Sequence, residues 1–112
     1  MTIGIYTNNS EKWIDKVIKR IYPYIGNEVN ELIIFDDMST DNTVPNIVAT
    51  IGQDFMKEDI FKFYINTKEK GLDNSITKMN KIKTNDKILV IDKNINKRQL
   101  NKKVKEILND KN

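Results

Sequence analysis

Residues 31–43 read "ELIIFDDMSTDNT". An apolar run, Leu32 to Phe35, leads straight into two adjacent aspartates and then into a string of small polar residues. Short apolar runs bounded by turn residues read as buried strands, and Asp, Ser, Thr and Asn in succession are the chemistry of turns and helix caps. Two carboxylates at the end of a buried strand are costly unless that end opens on polar partners. The stretch therefore predicts a strand that delivers Asp36 and Asp37 to the mouth of a site.

The flanking segments repeat the plan. Upstream, Ile3 to Tyr6 reads as a short buried strand closed by "TNNS". Ser10 is placed to cap a helix carrying Trp13, Ile14, Val17, Ile18, Ile21 and Ile25 on one side, with Pro23 limiting it near Tyr22. Downstream, Thr43 or Asp41 caps a second helix with Pro45 in its first turn and Val44, Ile47, Val48 and Ile51 as its inner face. "IFKFYIN" at 60–66 is a third strand, a third helix is expected from Asp73 to Lys83 with Ile76, Met79 and Ile82 inward, and "KILVID" at 87–92 is a fourth strand. From Lys97, Leu100, Val104, Ile107 and Leu108 recur at helical spacing.

Strict alternation of strand and helix predicts an α/β fold: three layers, Rossmann-like, with a mostly parallel four-stranded sheet. Residues 1–96 form the domain, and the basic amphipathic helix 97–112 packs on it or extends it. In such sheets ligands bind outside the carboxyl ends of the strands. "TNNS", "DDMSTDN" and "DKN" follow the first, second and fourth strands, so all three polar clusters belong at one edge.

Composition narrows the chemistry. The 112 residues contain no Cys and no His, which excludes disulfides, thiolate metal sites and the usual neutral-pH proton shuttle. No apolar run approaches the ~20 residues that span a bilayer, and the N-terminus lacks the basic region of a signal peptide, so a cytoplasmic protein without a transmembrane segment is expected. The net charge of +3 lies mostly after residue 96; without interleaved aromatics this tail predicts no specific nucleic-acid binding.

A dinucleotide site fails for want of glycines, since "GIYTNNSEKW" holds no G-x-G-x-x-G and no Walker loop. A phosphoacceptor receiver would place its carboxylates after the first strand, where Thr7 and Asn8 stand. "TIGIYTNNSEKW", "ELIIFDDMSTDNT" and "NTKEKGLDNSITKMNKIKTNDKILVIDKN" together resemble the family 2 glycosyltransferases of the GT-A fold. That family runs as a strand ending in P-T-Y-N, then V-D-D-G-S-T-D-N-T, then N-x-G-L-S-x-A-R-N and L-D-x-D. The resemblance covers roughly residues 2–94 and implies the nucleotide-sugar-binding half of a GT-A domain.

By that resemblance Thr7 and Asn8 border the base of a nucleotide sugar, with UDP-sugar the expected donor, and Asp37 accepts the uracil imide N–H. Asp36 instead ties down "STDNT" through backbone N–H groups. Lys70, beside Gly71 before the third helix, and Lys93 face the phosphates. Asp92 and Asn94 stand where the family's D-x-D supports a divalent cation; with one carboxylate lost, Mg2+ or Mn2+ is expected to be held only weakly. The family's acceptor-binding half and its carboxylate base have no counterpart in the tail after Asn94. The resemblance thus implies an enzyme completed by a partner or by a second copy, or else a non-catalytic nucleotide- or protein-binding module of the same fold.

Overall fold

A computed structural model describes residues 1–54, 60–68 and 70–110. The elements run β1 (Thr2–Thr7), α1 (Ile14–Ile21), β2 (Glu31–Asp37), α2 (Thr43–Asp54), β3 (Phe61–Asn66), α3 (Gly71–Ile82), β4 (Ile88–Ile91) and α4 (Lys97–Leu108). The strands form one sheet in the order β3-β2-β1-β4, and every pairing is parallel. The order of strands reverses at β1, with β2 and β3 on one side and β4 on the other, the switch-point geometry that opens a crevice at the carboxyl ends.

Side chains alternate across the sheet. Ile3, Ile5, Leu32, Ile34, Leu89 and Ile91 face the side covered by α1, α2 and α4, where Ile14, Val17, Ile18, Ile21, Ile47, Leu100 and Val104 complete the main core. Ile33 and Phe35 face α3, where Met79 is fully buried. Gly4 sits under Met79: a β-carbon there would lie 2.6 Å from the methionine sulfur, so the close approach of α3 to β1 depends on a missing side chain. Each fully buried Ile or Leu is worth about 1.5–3 kcal/mol of transfer free energy, which makes the central strands the stable part of the domain.

The tail helix is integral to this core. Leu100 and Val104 are buried on the sheet, and Asn96 opens α4 with a capping box, accepting the Gln99 N–H at 2.8 Å while Gln99 Oε1 accepts the Asn96 N–H at 3.0 Å. Leu108, expected inward, is exposed as the last residue of the helix, and Val48 of α2 is exposed where Ile47 and Thr50 turn inward instead. Lys111 and Asn112, the last residues assigned to the tail, lie outside the described residues. No helix among the described residues is long and apolar enough to cross a membrane.

At the amino edge a second polar cluster closes the fold. Buried Glu31 accepts Thr2 Oγ1 at 2.6 Å, the Thr84 N–H at 2.8 Å and Lys62 Nζ at 2.5 Å. Burial pushes its pKa up, but these donors outweigh burial and leave it below the ordinary carboxylate value.

Candidate functional site

β2 does not stop before the aspartates. Asp36 pairs in register with Thr7 and Ile65, and Asp37 with Asn66, so both carboxylates project from ladder positions onto opposite faces of the sheet. Both residues are essentially without solvent exposure.

Asp36 points to the α1/α2 side. Its Oδ1 accepts Thr7 Oγ1 at 2.8 Å and Ser39 Oγ at 2.6 Å, and its Oδ2 accepts the Ser39 N–H at 3.1 Å. It thereby ties the loop after β2 to the end of β1, the role the sequence suggested. Asn9 completes the tie from the other side. It sits at φ 51°, a left-handed conformation that Asn tolerates, and its Oδ1 accepts the N–H groups of Thr40 at 2.8 Å and Asp41 at 3.3 Å. The sequence reading passed over Asn9; its one signal was the Asn-Asn pair inside a turn.

Asp41 links the starts of two helices. It accepts the Thr43 N–H at 2.9 Å and the Glu11 N–H at 3.2 Å, while Thr43 Oγ1 accepts the Ser10 N–H at 2.7 Å. Asp41, rather than Thr43, therefore caps α2. Ser10 serves α1 through its carbonyl, which accepts from Trp13 and Ile14, and its hydroxyl stays with Asn8.

Asp37 points to the α3 side and is fully engaged there. Oδ1 accepts the Lys70 N–H at 2.8 Å and Asn66 Nδ2 at 3.2 Å; Oδ2 accepts the Gly71 N–H at 2.9 Å and Tyr6 Oη at 2.6 Å. Four donors fill the roughly four lone-pair sites of a carboxylate. Burial pushes the Asp37 pKa up, but the Tyr6 hydroxyl, the two backbone N–H groups and the Asn66 amide outweigh it, and the net shift is downward. The carboxylate is the N-terminal cap of α3, whose own first residues provide no side-chain cap. In this arrangement it fixes Lys70, Gly71 and Tyr6 around the mouth. Gly71 supports the same turn at φ 80°, where a side chain would be strained.

The remaining predicted residues gather along the same edge. Thr7 is buried beneath it, while Asn8 is exposed and anchored by its Nδ2, which donates to the Asp37 carbonyl at 2.6 Å. The Lys70 side chain is exposed at the start of α3. Asp92, Lys93 and Asn94 are exposed after β4, beside a 480 Å3 cavity whose lining includes all three together with Val90, Gln99 and Lys103.

The profile of Glycosyl transferase family 2 matches residues 2–95. The chain belongs to glycosyl transferase family 2. No curated protein matches it. The match spans all four strands and every residue predicted for the site.

In this family 2 chain the residues at the end of β4 do not suit the divalent cation that the resemblance implied. Asn94 Oδ1 accepts Arg20 Nη1 at 2.9 Å, and the same nitrogen donates to the Ile95 carbonyl at 2.8 Å. A cation on that oxygen would sit against a guanidinium. Asp92 is left as one carboxylate followed in sequence by Lys93, and no group of three or more acidic side chains is placed to share a metal ion among the described residues. Mg2+ and Mn2+ want several hard oxygen ligands, so this donor set does not fit them. Asn94 Oδ1, one of the oxygens the resemblance offered to a cation, is engaged by Arg20 instead.

Proposed function

We propose that this chain is the donor half of a glycosyltransferase, holding a uridine diphosphate sugar across the carboxyl edge of its sheet. The observation that supports this best is the convergence of Asn8, the Lys70–Gly71 turn and Lys93 on one edge of an all-parallel family 2 domain. Asn8 is the base reader in this account. Its amide nitrogen is spent on Asp37, which orients its oxygen as an acceptor for the imide N–H of uracil. Lys70 and Lys93 offer point charges to the diphosphate. Thr7 and Asp37 are positioning residues: the first supports the β1 end through Asp36, the second holds the Lys70–Gly71 turn.

In the transfer itself, an acceptor hydroxyl attacks the anomeric carbon, the bond from that carbon to the diphosphate oxygen breaks, and uridine diphosphate departs with the electron pair. The hydroxyl proton passes to a carboxylate base. Such a base must reach within hydrogen-bond distance of the hydroxyl.

A second reading, a binding module without transfer activity, draws on the Arg20–Asn94 contact, which occupies the position the family gives to metal support. Calorimetric titration with uridine diphosphate and adenosine diphosphate tests the shared claim. Tighter binding of the uridine compound is expected; equal or undetectable binding of both would refute a base-selective site. Release of sugar to a hydroxyl acceptor, on adding candidate partner chains, then separates enzyme from module.

A further inference from the structure

The end of β4 meets the wall of α4 in a way that the metal misfit alone does not explain. The 480 Å3 cavity beside them is lined by Val90 and Ile91 of β4, by the loop of residues 92–95, and by Gln99 and Lys103 of α4, so that Lys93, Lys103 and Asp92 are the charged groups of its rim. Gln99 and Lys103 are one helical turn apart, so they present neighbouring groups. Arg20 holds the rim in shape. Its guanidinium bridges from the last turn of α1 to Asn94 and to the Ile95 carbonyl, two of the five residues that carry the chain from β4 into α4.

We infer that this cavity is a metal-free diphosphate site, in which Lys93 and Lys103 supply the positive charge and Arg20 is the positioning residue that sets the loop between them. The inference rests on the donor-half reading above and adds to it the means by which the leaving diphosphate is neutralised. Two ammonium groups outweigh the one carboxylate of the rim, Asp92, and ammonium groups bind phosphate oxygens without the ligand geometry a divalent cation demands. Asp92 is here an opposing charge rather than a metal ligand, which gives the two accounts opposite signs for the same substitution.

The test uses the full chain and inorganic pyrophosphate as probe, titrated calorimetrically in EDTA and in Mn2+, alongside uridine diphosphate. Pyrophosphate is expected to bind in EDTA, with Lys93→Gln and Lys103→Gln each weakening it by about fivefold, as loss of one partly solvated charge contact implies. Lys81→Gln, on α3 beside a different groove, removes the same charge and is expected to change little. Asp92→Asn is expected to tighten binding in EDTA. Binding that appears only with Mn2+ and is lost in Asp92→Asn overturns the inference, as does an equal effect of Lys81→Gln and Lys103→Gln, which marks a diffuse charge effect. Uridine diphosphate bound without metal but indifferent to Lys93 and Lys103 also overturns it and leaves the donor-half reading standing. Pyrophosphate bound as expected, with uridine diphosphate no tighter than adenosine diphosphate, supports the inference and removes the base-selective reading.

Discussion

Asp37 Oδ2 accepts the backbone N–H of Gly71 at 2.9 Å, across 34 residues of sequence, so the carboxylate at the end of β2 is the cap of α3. That bond gives the residue a structural role at the mouth of the site. Asp37→Ala should therefore act first on stability. It takes the Asp37 acceptor from Tyr6, Asn66 and the Lys70 and Gly71 N–H groups, and a loss of about 3 kcal/mol is expected from urea unfolding, as for breaking a buried charged network. A variant as stable as the parent would contradict the capping role.

Tyr6→Phe removes one of the four donors and leaves the other three. About 1–2 kcal/mol should be lost, with the fold intact by circular dichroism. Gly71→Ala, which forces a side chain into the left-handed region at the same turn, should cost a similar ~1–2 kcal/mol.

Acid should weaken the domain through Glu31 and Asp37. Both have folded pKa values below their unfolded ones, so the unfolded state binds more protons in acid and stability falls with pH. Their contribution is complete above the unfolded values, about pH 4, and is lost as pH falls through the lower folded values. Unfolding free energies measured from pH 7 down to pH 3 should show the gap between the parent and Glu31→Gln narrowing as pH falls. A gap independent of pH would contradict the depressed Glu31 pKa.

Ser75 makes the opposite prediction. Its hydroxyl is fully buried in α3 and has no hydrogen-bond partner among the described residues. Ser75→Ala removes an unsatisfied polar group and improves helix propensity, so thermal melting should show no loss and a gain of up to about 1 kcal/mol.

Much of this architecture was legible because its signals are local. Alternating short apolar runs and helical stripes set the order of elements, and the placement of "TNNS", "DDMSTDN" and "DKN" after strands put them on one edge once the sheet was parallel. The start of α4 at Lys97 was readable from its apolar spacing; its Asn96–Gln99 capping box emerged only in the structure. What the sequence did not disclose depends on residues that meet only in space. Nothing local says that Asp37 is satisfied by Tyr6, Asn66, Lys70 and Gly71, or that Arg20 reaches Asn94 across 74 positions. Val48 and Leu108 show the same limit on a smaller scale: helical spacing marks a broad apolar stripe, and tertiary packing decides which margin of it stays wet.

The central claim is that the carboxyl edge of this family 2 domain is a nucleotide-sugar site, and amide chemical-shift mapping during titration with uridine diphosphate tests it most directly. The account predicts saturable shifts at Asn8, Lys70, Gly71 and Lys93, and at Gln99 and Lys103 on the cavity rim, with Thr2, Glu31 and Thr84 at the amino edge unmoved. Shifts confined to the amino edge, or none at ligand concentrations that saturate ordinary donor sites, would contradict it.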